Sequence, residues 1–164
     1  MQITGFKDMY IAELQELRSL EVQLDETLLR LTAMATHRSL KDLLVDQRGR
    51  TLEHKERLDG ILLVHKADPR EHTDQAMQAL IAETEKMLTI VKGAALRDAA
   101  LIASTQKIAH YQIAAYGSAA ALAGQLDLRD DQALLHECLE EEKEVEFMLT
   151  RLAKLEVNRD AIAA

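Results

Sequence analysis

The feature that most constrains this chain is a series of long apolar stripes in which hydrophobic residues recur at steps of three and four. This spacing places their side chains on one face of an α-helix. The chain contains a single proline, Pro69, and is rich in alanine, leucine, glutamate and lysine. The pattern therefore predicts an all-α protein with five helices, at about residues 6–35, 40–66, 73–92, 96–126 and 131–157.

The connections between these predicted helices constrain the topology. Residues 36–39 and 127–130 are short, which favours antiparallel packing of the helices that they join. The connection over residues 67–95 is long and contains the short third helix. It can carry the chain back along the bundle, as in ferritin-like proteins. The connection lengths leave a ferritin-like crossover and a simple up-down bundle open; for either topology we predict one domain, residues 1–164, that forms a four-helix bundle with an additional helix in the long connection.

Polar residues interrupt the centre of the apolar stripe in three of the predicted long helices. The second helix has Gln47, Thr51 and His54 at inward positions, whereas the first and fifth have single glutamates, Glu21 and Glu142. All five lie near the middle of their helices, so side-by-side packing brings them to one level. Buried polar groups destabilise a fold unless partners satisfy them. The sequence therefore predicts either a functional site or the remains of one.

Three further residues belong to this predicted polar region. Arg50 lies at the edge of the stripe in the second helix, and the fourth helix contributes Gln112 and Tyr116. The rotation of the fourth helix stays open. Ala109 and His110 are neighbours and lie about 100° apart on a helix, so at most one of them points squarely inward.

Charge and composition restrict the function classes. The net charge of −8 disfavours nonspecific binding to nucleic acid. We expect no membrane span, because no stretch reaches about 18 uncharged apolar residues. The single cysteine, Cys138, excludes an internal disulfide and fits a reduced, cytoplasmic location. The glutamates around Glu142 are interpreted as a solvated face beside one inward residue.

Two stretches in the predicted fourth and fifth helices are specific enough to compare with known proteins: Arg97-Asp98-Ala99-Ala100-Leu101-Ile102-Ala103 and Leu139-Glu140-Glu141-Glu142-Lys143. Shorter matching stretches are Leu20-Glu21-Val22-Gln23-Leu24, Thr51 with Glu56-Arg57-Leu58, His110-Tyr111 and Tyr116-Gly117. With these residues the chain resembles the YciE/YciF-type ferritin-like proteins of bacteria over nearly its whole length. The resemblance implies a four-helix ferritin-like bundle, commonly a homodimer, that is linked to stress responses and has no settled activity.

The departures from this family concern its metal-binding residues. The family usually has His-Leu-Glu-Glu-Thr where this chain has Gln47-Arg48-Gly49-Arg50-Thr51, and Glu-His-Tyr-Glu where it has Ala109-His110-Tyr111-Gln112. Positions 50, 109 and 112 therefore lack the carboxylates that the resemblance leads us to expect. Di-metal centres in such bundles use about four carboxylates and two histidines. We expect the di-metal centre to be weakened or lost.

The first functional hypothesis, which we favour, is a non-catalytic, stress-associated protein in which a buried polar network replaces the metals. In this hypothesis the guanidinium of Arg50 neutralises Glu21 and Glu142. It predicts a homodimer without a cofactor. It also predicts that Arg50→Ala destabilises the protein by several kcal/mol, because the substitution would leave buried carboxylates without a counter-ion.

The second hypothesis is a metal-dependent oxidase or peroxide-handling protein that uses a carboxylate and histidine site with fewer ligands than usual. The candidate ligands are Glu21, His54 and Glu142, with Glu53 as the fourth. Carboxylate and imidazole ligands of this kind suit iron or manganese, which are the metals that this hypothesis predicts.

Overall fold

The structure, a computed structural model, describes residues 3–164, which form helices joined by non-helical connections. Its helices are α1 (Phe6–Met34), α2 (Arg38–Val64), α3 (Gln75–Ile90), α4 (Ala94–Gln125) and α5 (Arg129–Leu152). Helix α5 passes through a π-helical turn, Ala153–Val157, into a last short helix, α6 (Asn158–Ala163). The all-α prediction is confirmed, and no strand occurs between residues 3 and 164.

Hydrogen bonds at the two ends of the bundle define its topology. At one end, Asp98 near the start of α4 accepts hydrogen bonds from the backbone N–H groups of Thr36 and His37, both at 2.8 Å, just before α2 begins. At the other end, the Tyr10 hydroxyl of α1 donates to Asp131 at the start of α5, at 2.9 Å. Helices α2 and α4 therefore run parallel, as do α1 and α5. This is the predicted ferritin-like crossover.

Helix α3 lies in the crossover and is fixed by Asp74. The Asp74 side chain caps α3 by accepting from the Met77 backbone N–H at 2.8 Å, and its second oxygen accepts from the Tyr111 hydroxyl of α4 at 2.8 Å. Its backbone carbonyl accepts from the Gln23 amide of α1 at 3.0 Å. Because Met77 and Leu88 are also buried, α3 packs against the bundle and leaves the four long helices to form its centre.

The start of α2 is set by a distant residue. Ser39 and Asp42 have the spacing of a capping motif, which would begin the helix at about residue 40. In the structure α2 begins at Arg38, and its N-cap residue, His37, makes no side-chain cap. Asp98 of α4 supplies the acceptor instead. The same contact aligns α4 with α2, which positions the polar residues of both helices at one level.

The core of the bundle is apolar at both ends and fills the space between the long helices. Its largest fully buried apolar side chains include Leu14, Leu17, Leu24, Leu28, Leu40, Leu44, Leu58 and Leu62. The rotation of α4 is also settled: Ala109 is buried, whereas the side chain of His110 is 65% exposed. Among residues 3–164, no helix has both the length and the apolarity needed to cross a membrane.

Candidate metal centre

Seven polar side chains from all four long helices meet at the middle of the core, and each is at most 1% exposed. We call this group the polar belt. Its members are Glu21 of α1, Gln47, Thr51 and His54 of α2, Gln112 and Tyr116 of α4, and Glu142 of α5. The helical spacing of residues 47, 51 and 54 places them on the face of α2 that Leu44 and Leu58 also occupy. The structure therefore brings together seven of the nine site residues predicted from the sequence.

The centre of the polar belt is His54. Its Nδ1 atom lies 3.5 Å from Glu21 Oε1 and 3.4 Å from Glu142 Oε1. One potential ligand atom from each of these three residues lies within 4.8 Å of the others. Because the three residues come from α1, α2 and α5, the site depends on the packing of three helices rather than on one local motif.

The second ring nitrogen of His54 faces a residue that the sequence analysis did not predict. Its Nε2 atom lies 2.6 Å from Glu141 Oε2, and Arg57 donates to both oxygens of this carboxylate, at 2.8 and 3.2 Å. Sequence alone assigned Glu141 to a solvated face, and its side chain is in fact 25% exposed. The available signal was its position directly before Glu142, together with Arg57 three residues after His54.

The outer side of His54 also holds a sulfur atom. His54, Cys138 and Glu141 offer ligand atoms within 4.8 Å of one another. Arg57 occupies this side, since it donates to Cys138 Sγ at 3.5 Å as well as to Glu141. Burial raises the pKa of the Cys138 thiol, although His54 and Arg57 partly oppose this. The outer group, His54 with Cys138 and Glu141, is therefore already in contact with the guanidinium of Arg57. Among residues 3–164, no guanidinium or ammonium group contacts the inner group, Glu21, His54 and Glu142.

The fourth helix supplies hydrogen bonds to Glu21. The Tyr116 hydroxyl donates to Glu21 Oε1 at 2.6 Å, and the Gln112 amide donates to the same oxygen at 3.3 Å. Burial, followed by the charge of Glu21, raises the pKa of Tyr116, so its hydroxyl stays protonated and acts as a donor. These two bonds fix Oε1 of Glu21, whereas Oε2 is buried without a hydrogen-bonding partner.

Many polar atoms in the belt have no hydrogen-bonding partner within the protein. They are Glu21 Oε2, both oxygens of Glu142, His54 Nδ1, both amide atoms of Gln47, Thr51 Oγ1 and Gln112 Oε1. Buried polar groups in folded proteins are nearly always paired with protein atoms, water or a bound ion. Their concentration at one level distinguishes the belt from an ordinary polar contact in a core.

The electrostatics of the belt depend on His54. Burial lowers the pKa of His54, but the interactions with Glu142 and Glu21 outweigh it and raise the pKa to about 11. Burial raises the pKa of Glu142; His54 opposes this rise and the charge of Glu21 adds to it. Burial also acts to raise the pKa of Glu141, yet the bonds from Arg57 and His54 lower it overall. A positive charge at the centre of the belt is therefore strongly favoured.

Two predicted site residues lie outside the belt. Arg50 does not pair with the buried carboxylates, because it lies on the flank of α2 that faces α5. There its guanidinium contacts Glu144 Oε2 at 2.7 Å and donates to the Glu141 backbone carbonyl at 3.3 Å. Glu53 is exposed, since it precedes the inward His54 by one residue and is turned about 100° away. His54 thus has the central position that the sequence analysis gave to Arg50.

The inner residues fit a single divalent ion. Carboxylate and imidazole groups bind zinc, iron and manganese. The separations of 3.4 and 3.5 Å between His54 Nδ1 and the two carboxylates are long for a charged hydrogen bond, which is typically about 2.7–2.9 Å. They match the edge of a tetrahedral metal site with bonds of about 2.0–2.2 Å, which is about 3.3–3.6 Å. A second ion lacks charged ligands, since the other unpaired atoms of the belt belong to the neutral side chains of Gln47, Thr51 and Gln112.

Fold and site together define a ferritin-like bundle whose polar centre has fewer carboxylates than a di-metal centre. The family model described as a domain of unknown function, DUF892, matches residues 5–162, and the chain belongs to this family. The chain is 35% identical to Protein YciF of Escherichia coli K12 over 162 residues, which are 98% of each protein. The resemblance proposed from the sequence motifs is thereby confirmed.

Two solved structures have the same fold. The crystal structure of the Escherichia coli stress protein YciF matches with a TM-score of 0.90 and 34% identity, over 95% of this chain and 99% of that one. The structure of YcfI from Rhodopseudomonas palustris, for which a structural role has been suggested, matches with a TM-score of 0.88 and 28% identity. That match covers 91% of this chain and 95% of the other. The relatives thus connect this fold with stress and with structural roles.

Proposed function

We propose that this chain is a stress-associated, non-catalytic ferritin-like protein that binds one divalent metal ion in its polar belt. The observation that carries the proposal is the convergence of Glu21, His54 and Glu142. Their potential ligand atoms lie within 4.8 Å of one another, and all three residues are fully buried. Two carboxylates would neutralise the charge of one divalent ion, which lowers the cost of burying it.

The belt is suited to holding an ion rather than to di-metal chemistry. The carboxylates that a second ion would need are replaced by Arg50, Ala109 and Gln112. The unpaired atoms of Gln47, Thr51 and Gln112 are neutral donors and acceptors, which can bind water beside the ion. The stress association rests on the similarity to YciF, and the non-catalytic role on the incomplete ligand set.

A second candidate function is a metal-free structural bundle, in which a proton on His54 takes the place of the metal. The position of His54 favours it, since both ring nitrogens face carboxylates: Nε2 faces Glu141 at 2.6 Å, and Nδ1 faces Glu21 and Glu142 at 3.5 and 3.4 Å. A charged imidazole would offset much of the negative charge inside the belt. This is the polar network expected from the sequence, with His54 in the role assigned to Arg50.

Elemental analysis separates the two candidates. The protein is purified without chelators from cells supplied with iron, manganese and zinc, and the metal content per chain is measured. About one ion per chain in the wild type, lost in Glu21→Gln, supports the metal-binding proposal. Glu53→Gln serves as the matched control, because Glu53 is a glutamate of α2 that lies outside the belt. Metal far below one ion per chain, after both supplementation and reconstitution, favours the metal-free bundle.

A further inference from the structure

Two consecutive glutamates of α5 face opposite nitrogens of one imidazole. Glu142 lies inside the belt, 3.4 Å from His54 Nδ1, whereas Glu141 lies on the outer side, 2.6 Å from His54 Nε2. Successive helix positions are about 100° apart, so adjacent residues can reach both sides of a ring placed against the helix. The short outer distance is that of a charge-assisted hydrogen bond, and the longer inner distance is not.

Arg57 fixes the outer glutamate. It donates from Nη1 and Nη2 to the two oxygens of Glu141, at 2.8 and 3.2 Å. Such a paired contact holds a carboxylate in both position and orientation. Arg57 and Glu141 are 22% and 25% exposed, whereas His54 is fully buried. The three residues thus form a chain of contacts that leads from the surface of the bundle to the metal centre.

We infer that Glu141 and Arg57 are positioning residues that make Nδ1 the metal-binding nitrogen of His54; the inference rests on the proposed single-metal function. A neutral imidazole carries one N–H group, and the other nitrogen holds the lone pair that binds a metal. Since Glu141 accepts the hydrogen bond from Nε2, the lone pair lies on Nδ1, toward Glu21 and Glu142. Arg57 keeps Glu141 on the outer side, so this carboxylate orients the ligand without becoming one.

The residues around His54 determine on which side of its imidazole ring a metal ion can bind. On the outer side, Arg57 already pairs with Glu141 and contacts Cys138, so a cation there would have to displace a guanidinium. On the inner side, both oxygens of Glu142 and Nδ1 of His54 have no hydrogen-bonding partner. A divalent ion therefore meets available ligands only on the inner side of His54, and the outer contacts set the ring for that side.

Zinc affinity tests this inference, since zinc binds the same ligand types and has no redox chemistry. Competition with a chromophoric chelator would give the zinc Kd of the wild type, Glu141→Ala, Glu141→Gln and Arg57→Gln. Outer partners of ligating histidines typically change metal affinity about 10–100-fold, and this loss is expected for Glu141→Ala. A smaller loss is expected for Glu141→Gln, whose amide oxygen still accepts from Nε2, and for Arg57→Gln.

The matched control is Glu140→Gln. Glu140 is the preceding glutamate of α5, is 67% exposed and pairs with Lys143 at 2.7 Å. This variant removes the same charge one position away and should keep the zinc Kd of the wild type. A loss in Glu140→Gln equal to that in Glu141→Ala would overturn the inference, because general charge would then explain the effect. Wild-type affinity in both Glu141 variants would overturn it as well.

The ¹⁵N chemical shifts of the His54 ring give a readout that a merely structural role of Glu141 would not move. Zinc-loaded wild type should show the metal on Nδ1 and the proton on Nε2, and Glu141→Ala should lose this single pattern. If Glu141→Ala does not fold, Glu141→Leu, which keeps much of the side-chain volume and cannot accept a hydrogen bond from Nε2, carries the test. A wild type that binds no zinc contradicts the proposed function itself, whereas a wild type that binds zinc on Nε2 contradicts only the positioning role.

Discussion

At the scale of single residues, the charge balance of the core depends on which cation reaches the buried carboxylates. Arg50 makes no hydrogen bond or ion pair with them: its guanidinium pairs with Glu144 near the surface, where the two side chains are 28% and 59% exposed, and it acts on Glu142 only through a longer-range charge interaction. Exposed ion pairs of this kind typically contribute about 0–1 kcal/mol. We therefore expect Arg50→Ala to lower the free energy of unfolding by less than about 1 kcal/mol. Urea denaturation would measure this change, and a loss of several kcal/mol would show that Arg50 acts on the belt.

Tyr116 is expected to matter more than Arg50, because it is fully buried and donates to the Glu21 carboxylate at 2.6 Å. Tyr116→Phe removes this bond and leaves Glu21 with only the weaker contact from Gln112. Hydrogen bonds to charged groups typically contribute about 1.5–3 kcal/mol, and we expect a loss of about this size in urea denaturation.

Tyr10→Phe is the control for Tyr116→Phe. The Tyr10 hydroxyl also donates to a carboxylate, Asp131, at 2.9 Å, but at the end of the bundle. Both variants should lose stability, whereas only Tyr116→Phe should weaken zinc binding, which chelator competition measures. Equal zinc affinity in the two variants would contradict the link between the Tyr116–Glu21 bond and the proposed metal centre.

Helical periodicity is enough to predict that Glu21, His54 and Glu142 point inward, because each lies on an apolar stripe that defines the buried face. It is not enough for residues at the edge of a face. Long side chains with several rotatable bonds lie at such edges at Arg50, Arg57 and Glu141, and the partners of these side chains depend on the neighbouring helix. The hypothesis that Arg50 neutralises Glu21 and Glu142 accordingly differs from the contact with Glu144 in the structure, and the contact between Arg57 and Glu141 was not predicted.

At the scale of helices, Asp98 connects α4 to the start of α2. Its carboxylate accepts from the backbone N–H groups of Thr36 and His37 at 2.8 Å and from the Thr36 hydroxyl at 2.5 Å. Asp98→Ala leaves these donors without partners at the end of a long helix. We expect a loss of about 2–4 kcal/mol, since each orphaned donor typically contributes about 1–3 kcal/mol and water recovers part of it.

Thr36→Val is the control for Asp98→Ala, because it removes the hydroxyl bond and keeps both backbone bonds to Asp98. Its loss in thermal or urea denaturation should be clearly smaller. A loss as large as that of Asp98→Ala would show that the hydroxyl, rather than the capping of α2, carries the stabilisation.

The ends of a helix could be predicted where neighbouring residues in the sequence determine them, and less well where contacts with distant residues do. Periodicity and the single proline correctly separated the five main helices. Helix α2 begins at Arg38, two residues before its approximate predicted start, because Asp98, about 60 residues away in the chain, accepts from the backbone there. The helical C-terminus was also missed: α5 continues through a π-helical turn to Ala163, and tertiary burial of Ala153 and Val157 stabilises this continuation.

At the scale of the whole molecule, the order of connection lengths permitted the ferritin-like crossover, and the family resemblance decided for it. A short connection places the two helices that it joins antiparallel to each other. The long connection between α2 and α4 carries the chain back along the bundle, so that these two helices run parallel. A homodimer and a cytoplasmic location stay predictions that rest on the resemblance and on the single cysteine. Light scattering of the purified protein would test the homodimer, for which twice the mass of the 18.4 kDa chain is expected.

A metal ion in the belt would act on the stability of the entire bundle, because its ligands Glu21, His54 and Glu142 come from α1, α2 and α5. A ligand that binds only the folded state at 100 times its Kd stabilises that state by about 2.7 kcal/mol. For a chain of this size, 1 kcal/mol corresponds to about 2–4 °C in Tm, so saturating zinc should raise the Tm by about 5–10 °C. Differential scanning calorimetry with and without zinc would measure the shift.

Glu142→Gln keeps the shape of the side chain but removes one charged ligand, and its Tm should not respond to zinc. A response equal to that of the wild type would place the ion elsewhere on the protein, since a site on the surface would not depend on this buried carboxylate.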